Sequence, residues 1–499
     1  MKTFLRIVPL VVALTACGGG GDNSSSTTST NLNPIPPIGN FPACLTSALS
    51  TASNALQDGI CISVKPPVTC LTPKVLQNGM CVSVANICQT ETEKTWVRAH
   101  LDDTYLWYKE IKDADAPRAN YNTPQGYFYA LLVKDKDRFS YAVSQAEIDA
   151  YYQSGVEISY GVMWVSEGNY RRVAFVEPNS PAAQKGVKRG DYIWRVDGQN
   201  LWELSDELYF DALYPPYKGI AHYFEIIDAQ SGETKQVQLV SDEVIDNPVP
   251  LSTILTHNNK KVGYLVFNDH IATATTPLIA AIKQFQTAKI DDLVLDLRYN
   301  SGGFLYVADE LASMLGGNTT LDYLFTSLEF NDKHSEKNVR YYFERTSYEN
   351  NTVLPFLSLK RVFVLTSNMT CSASEAIINA LSPFIEVIRV GSTTCGKPYG
   401  FSRENNCGTS YFAIDFQGKN ALGQTVPTTG FAPTCAANED LNNPLGSSME
   451  SMLSTALHYQ QQGTCPITSL TQSAKLVQPR TVKEVYRAPW RSNMLTNHP

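Results

Sequence analysis

Histidine is scarce in this chain, with seven among 499 residues. His100, His222, His257, His270, His334, His458 and His498 are scattered, and no two stand at metal-ligand spacing. The 11 cysteines contain no C-x-x-C, so a zinc site has no support in the spacing. No metal and no cofactor is expected. Positive charge is also short: 40 Lys and Arg against 48 Asp and Glu give a net charge of −8. Without a basic stripe to neutralise phosphates, nucleic acid is not expected as a partner. The esterase signature G-x-S-x-G is missing. The apolar run Ile7 to Ala13 is too short to span a membrane.

What the first residues do contain is a targeting pattern. Lys2 and Arg6 form a positive start, and the apolar run follows. Leu14-Thr15-Ala16-Cys17 resembles a bacterial lipobox, with Cys17 as the lipidated residue. Residues 1–17 are therefore expected to be a lipoprotein signal peptide, and 18–43 a flexible linker rich in Gly, Ser, Thr, Asn and Pro. Gly18 stands where an aspartate would favour inner-membrane retention. The resemblance implies a lipid anchor in the cell envelope, at an outer membrane facing the periplasm or the cell surface. Loss of Lys2 and Arg6 on cleavage takes the net charge from −8 to about −10.

Setting Cys17 aside leaves 10 cysteines, an even number that suits disulfides in an exported protein. Residues 44–90 form a Cys-rich segment with a weak internal echo. One unit ends Asp58-Gly59-Ile60-Cys61-Ile62 and the next Asn78-Gly79-Met80-Cys81-Val82. Each unit reads as a loop closed by its own bridge, Cys44–Cys61 and Cys70–Cys81, with Cys88 and Cys465 as a further pair. For the rest, Cys371–Cys395 with Cys407–Cys435, or Cys395–Cys407, remain alternatives.

Residues 91–150 read as a small helical cap. Trp96, Leu101, Tyr105 and Trp107 suggest one amphipathic helix and Tyr127 to Val133 another, ahead of Asp137-Arg138-Phe139-Ser140-Tyr141. Residues 151–245 change character. Tyr160-Gly161-Val162-Met163-Trp164 opens a strand. Ser180-Pro181 starts a helix, with the serine as cap and proline at the first helical position. Val196-Asp197-Gly198 is a hairpin signal. Residues 250–460 alternate strands and helices. Asp292 to Leu297 and Arg361 to Thr366 are apolar runs typical of a buried parallel sheet. Ligands of such sheets collect at strand C-termini. Arg298-Tyr299-Asn300-Ser301-Gly302-Gly303 follows the first run, and Thr370-Cys371-Ser372-Ala373-Ser374-Glu375 the second. Residues 461–499 form a tail; its Val477, Val482 and Val485-Tyr486 could supply a strand to the core or to a partner.

Ser372 and Glu375 match an S-x-x-E capping box, a device that starts many ordinary helices. The same position suits chemistry. A serine at a helix start lies beside unpaired N–H groups that can hold an oxyanion. Gly396-Lys397 comes next after a short strand-like run, with no histidine between. A serine needs a base, and a buried neutral lysine can serve. His270 is the remaining candidate for a serine–histidine arrangement.

Residues 151–245 resemble a PDZ domain in its circularly permuted bacterial protease form. The resemblance implies capture of a peptide C-terminus at a loop near Tyr160, Gly161 and Val162. With Leu295-Asp296-Leu297-Arg298, Asn300, Gly302-Gly303, Ser372-Ala373-Ser374-Glu375 and Gly396-Lys397, the chain resembles the S41 serine peptidases, the C-terminal processing or tail-specific proteases. This implies a multidomain α/β protein: a ClpP/crotonase-like α/β protease core, an inserted PDZ domain and the helical cap. It implies Ser372 as nucleophile, Lys397 as base 25 residues later, and an oxyanion hole from the N–H of Ala373 and of Gly302 or Gly303. Substrates are expected to be proteins or peptides with free C-termini. Two positions depart from some family members: Phe401 stands where a glutamine orients the lysine, and Pro383 where an aspartate occurs. The competing expectation is an inactive lipoprotein adaptor that binds peptide C-termini.

Overall fold

The computed structural model describes residues 88–467 other than 168 and 169, with the strand segments 53–57, 60–64, 74–77, 80–83 and 494–496. Cys17, Cys44, Cys70 and Val477 to Tyr486 lie outside the described residues. Both Cys-rich units contain strand pairs: Ser53–Gln57 with Ile60–Val64, and Lys74–Gln77 with Met80–Ser83.

The first core sheet runs, in spatial order, Leu251–His257, Lys260–Val266, Asp292–Asp296, Arg361–Thr366, Glu386–Gly391 and Cys435–Ala436. Its first pair is antiparallel and the others parallel. Alternation along the strands feeds two separate cores. Leu293, Leu295, Val362 and Val364 face the helices Thr275–Ala288, Leu305–Gly316 and Ala373–Leu381. Val294, Phe363 and Leu365 face the other way, onto Met452, Leu453 and Ala456 of helix Ser451–Gln462. Burial on both faces is why these strands read as continuous apolar runs.

The second sheet runs Gly302–Phe304, Met494–Thr496, Tyr399–Asn406, Thr409–Lys419, Leu324–Phe330 and Val339–Tyr342. Tyr141–Ser144 pairs with Thr409–Lys419, and residues from Val97 to Phe416 share one hydrophobic cluster. The tail thus contributes a strand at 494–496.

Two helices end earlier than the apolar pattern suggests. The first is Thr90–Thr104, and Tyr105 is already extended. Leu106 N–H donates to Ile414 O at 2.8 Å, so docking on the core ends the helix. Trp107 lies beyond it. The second is Pro124–Leu131, capped by Thr123, whose hydroxyl accepts from Gly126 N–H at 3.0 Å; Leu132 and Val133 lie past its end.

The third sheet is antiparallel, in the order Thr234–Val240, Ala221–Ile227, Tyr192–Val196, Tyr170–Val176 and Val162–Glu167. Ser180 caps Pro181–Gln184 as the sequence suggests. Asp197 and Gly198 both adopt positive φ, the geometry of a tight hairpin turn. Chain entry and exit of this region pair as a ribbon, Val156–Ser159 with Asp242–Ile245.

The described disulfides are Cys88–Cys407, Cys371–Cys395 and Cys435–Cys465. Cys371–Cys395 was one of the alternatives. Cys88–Cys465 and Cys407–Cys435 are corrected: packing of the first helix onto the Thr409–Lys419 strand brings Cys88 to Cys407, a contact across 319 residues that spacing cannot show.

Candidate active site

The buried strand Arg361–Thr366 delivers the chain to a turn pinned against its neighbour. Thr370 Oγ1 donates to Leu297 O at 2.8 Å, and Cys371 N–H donates to Asn300 O at 3.2 Å. Ser372 then adopts φ 58° and ψ −112°, a strained backbone for a non-glycine residue. The helix starts at Ala373, whose N–H belongs to the first turn and has no acceptor within the helix. Ser372 and Glu375 stand in the capping-box arrangement. The Glu375 half closes, with Oε2 accepting from Ser372 N–H at 3.0 Å. The serine half stays loose: Ser372 Oγ is buried and makes no hydrogen bond.

Lys397 sits on the segment after Glu386–Gly391, and Glu375 ties that segment to the serine turn. Oε2 also accepts from Lys397 N–H at 2.9 Å. Oε1 accepts from Gly396 N–H at 2.9 Å and Thr394 Oγ1 at 2.5 Å. The Cys371–Cys395 bridge joins the same two segments covalently. Lys397 is buried, and burial pushes its amine well below the ordinary lysine value; Asp137 and Glu375 pull the other way. Its Nζ lies 3.8 Å from the Phe401 ring centroid and 5.3 Å from that of Phe139. The Phe401 ring face therefore lies directly against the amine.

Asp137 and Phe139 act on Lys397 but carried no functional signal in the sequence beyond closing the cap. The Asp137 carboxylate is held by Tyr105 OH at 2.8 Å and by the N–H groups of Phe139 and Ser140, both at 2.9 Å. Arg138 Nη2 donates to Cys395 O at 2.7 Å, fixing this segment against the lysine loop.

The turn after Asp292–Asp296 brings Gly302 and Gly303 beside Ser372's segment. Asn300 organises it. Its Oδ1 accepts from Gly302 N–H at 2.9 Å and faces His270 Nδ1 at 2.9 Å; its backbone O accepts from Ser374 Oγ at 3.1 Å. Gly302's amide is thus already engaged. His270 N–H donates to Gly302 O at 3.1 Å, and Phe304 N–H donates to His270 O at 2.7 Å. Strand alternation then turns the N–H of Gly303 to the opposite edge. Gly303 has φ +132°, and a Cβ there would lie 2.4 Å from His270 O, so only glycine fits. Burial lowers the His270 pKa to about 3, leaving a neutral ring. His270 pairs with Asn300 and not with Ser372.

Ser372 and Lys397 line one cavity, with Leu305, Phe325, Ala376 and Val426. Cys371, Glu375 and Cys395 offer ligand atoms close together, but both sulfurs are in the disulfide.

The other predicted loop, Tyr160 to Val162, lies at the start of Val162–Glu167, the edge strand of the third sheet. Tyr160 is buried, and its O accepts from Ala182 N–H at 3.1 Å. Gly161 N–H donates to Ser159 Oγ at 3.0 Å, and a Cβ at Gly161 would lie 2.1 Å from Ser180 Cβ. Trp164 and Leu213 connect this strand to helix Asp206–Leu213 within one core. Arg189 of the same region donates to Tyr299 OH at 2.7 Å and to Asp440 O at 3.0 Å. It thereby touches the residue before Asn300.

Two family models match. Peptidase family S41 covers residues 261–410, a span that includes Gly302, Gly303, Ser372 and Lys397, and the peptidase S41 N-terminal domain covers 92–141. The carboxyl-terminal-processing protease of Picosynechococcus sp. is 29% identical over 220 residues, 44% of this chain and 49% of that protein. The chloroplastic carboxyl-terminal-processing peptidase 1 of Arabidopsis thaliana is 24% identical over 308 residues, 60% of each chain. The chain therefore spans about half of the first relative and three-fifths of the second. A solved Bacteroides fragilis structure assigned to the S41 proteases is 26% identical, with a TM-score of 0.61, covering 74% of this chain and 97% of that one.

Proposed function

We propose that this chain, matched by the S41 peptidase models at residues 92–141 and 261–410, is a serine endopeptidase with a Ser372–Lys397 dyad. One observation carries the reading: a strained, buried serine whose hydroxyl makes no hydrogen bond shares a cavity with a buried lysine whose amine is pushed toward the neutral form.

Neutral Lys397 takes the Ser372 proton as Oγ attacks a peptide carbonyl. The Ala373 and Gly303 amides stabilise the oxyanion, each donor contributing roughly 3 kcal/mol. Gly303 is favoured over Gly302 because the Gly302 amide is bound to Asn300. Collapse of the tetrahedral adduct breaks the C–N bond, and Lys397 gives its proton to the leaving amine. Water then attacks the acyl-enzyme, with Lys397 again as base, releasing the acid and restoring Ser372. The Ser372–Lys397 hydrogen bond is not made in the resting geometry, so the two groups close to about 3 Å for reaction.

Residues 151–245 are proposed to act as the PDZ domain that receives the substrate's C-terminal end. The outer edge of Val162–Glu167, which has no strand partner among the described residues and lies beside a helix, supports strand addition there. The Arg189–Tyr299 contact supports a coupling of that domain to the oxyanion turn. Substrates are proposed to be proteins or peptides with free C-termini. Cys17 is proposed as the lipid anchor, holding the enzyme in the bacterial envelope. The second reading, an inactive adaptor, is favoured by the unmade serine–lysine bond alone.

The test is cleavage of an unstructured protein by the chain lacking residues 1–40, beside Ser372→Ala, at pH 7 to 9. Cleavage by the parent and none by the variant is expected. Equal activity in both sinks the dyad, and continued absence of cleavage after deletion of residues 155–240, with the core still folded, supports the adaptor.

A further inference from the structure

The short strand Gly302–Phe304 has two edges. On one, Gly302 O and Phe304 N–H bond to His270. On the other lies the chain's own Met494–Thr496, in parallel register Gly302↔Met494, Gly303↔Leu495 and Phe304↔Thr496. The far side of this segment meets Tyr399–Asn406 at Phe401↔Thr496, on the strand that begins two residues after Lys397. The segment therefore spans from the oxyanion turn to the strand that follows the proposed base. With Gly303's N–H and C=O turned to this edge, parallel pairing sets its N–H opposite the Met494 carbonyl and its C=O opposite the Thr496 N–H. That N–H is the amide of the turn left available to an incoming carbonyl, since Gly302's is bound by Asn300.

We propose that the 494–496 segment is a resident ligand of the peptide cleft, holding by strand addition the place that a substrate backbone must take. The inference rests on the peptidase reading for its consequence but not for its geometry. An extended peptide bound through main-chain bonds to Gly303 is chemically the same ligand as an extended protein substrate. Foreign substrate and internal segment therefore compete for one edge. Apparent substrate affinity is reduced by the fraction of enzyme whose edge is open. The chain is thus self-restrained: a substrate must displace the segment before its carbonyl reaches Gly303.

The test uses the full-length protein in detergent and its Thr496→Pro variant, which removes the N–H facing Gly303 O. A second variant lacks residues 493–499. The expected result is a KM for an unstructured protein lowered about tenfold with kcat little changed. A synthetic peptide of residues 490–499 should restore the parental KM as a competitive inhibitor. In the Ser372→Ala background, amide exchange at Gly302–Phe304 should speed up with Thr496→Pro and slow again when the peptide is added. Unchanged KM in both variants, or loss of the folded state in both, makes the segment an ordinary structural strand and overturns the proposal. Absence of cleavage by every form, with the exchange changes present, leaves the resident ligand in place and removes the peptidase reading instead.

Discussion

Ser372 and Lys397 hang their backbone amides on a single oxygen: Glu375 Oε2 accepts from Ser372 N–H at 3.0 Å and from Lys397 N–H at 2.9 Å. The proposed nucleophile and base come from different segments of the sequence, and this carboxylate sets their separation. The other oxygen fixes Gly396 and Thr394, so one buried side chain serves four donors.

Glu375→Gln is expected to damage both stability and turnover. The amide replaces one acceptor oxygen with NH2, which faces two donors that it cannot accept from. Leaving two buried donors unsatisfied costs about 2–6 kcal/mol. Denaturant unfolding should show that loss, and kcat should fall roughly 10- to 100-fold if near-attack geometry degrades. Parental kcat in a folded variant would separate Glu375 from the alignment of the pair.

The pH profile reports the state of Lys397. Its folded pKa is depressed by burial, so the unfolded chain binds the extra proton between that value and the ordinary lysine value near 10.5. Stability from this residue therefore increases with pH across that window. Activity needs the neutral amine, so kcat/KM should rise through an apparent pKa well below 10.5 and then level. Lys397→Met should be inactive yet more stable at pH 7, by about 1.4 kcal/mol for each tenfold depression of the amine's ionisation. Lys397→Arg should be inactive throughout, since guanidinium stays protonated. A rising limb near 10.5 would contradict the buried neutral base.

Asn300→Ala should loosen the proposed oxyanion turn without touching substrate. Its Oδ1 holds Gly302 N–H and meets His270 Nδ1, and its Nδ2 donates to Phe267 O at 3.0 Å. Steady-state kinetics should show kcat reduced roughly 100-fold, the scale of one lost oxyanion donor, with KM within about threefold of the parent. A change confined to KM would assign Asn300 to binding instead.

The Cys371–Cys395 bridge closes the segment that holds Ser372, its helix and the following strand. Replacing both cysteines by serine should lower unfolding free energy by about 3 kcal/mol, from the chain entropy of a loop of this size. It should also lower kcat, because Gly396 and Lys397 lose a covalent tie to the serine turn. Denaturant unfolding and turnover at matched temperature check the two effects separately.

Much of the site was legible because it is local. Ser372, Ala373 and Glu375 announce a helix start, and Gly302-Gly303 follows an apolar strand at the sheet end where ligands collect. Ser180-Pro181 and Asp197-Gly198 form the elements their residue types favour, since caps and tight turns depend on a few neighbouring dihedrals. The first helix was read too long because Tyr105 and Trp107 are apolar for another reason. They pack into the core after the chain leaves the helix, with Tyr105 OH on Asp137.

The sequence alone determined which residues are proposed for the chemistry: a serine at a helix start, a lysine without a histidine nearby, and a glycine pair after a buried strand. Tertiary structure decided how they are tuned. The Phe401 and Phe139 rings lie against Lys397, and burial among groups from distant segments lowers the amine's pKa against the opposing pull of Asp137 and Glu375. It also decided that Asn300 binds Gly302, that Cys88 meets Cys407, and that Met494–Thr496 lies along Gly302–Phe304. The physical reason is range. Capping, turn and periodicity signals act over a few residues, whereas desolvation, disulfide pairing and strand addition depend on groups brought together from across the chain.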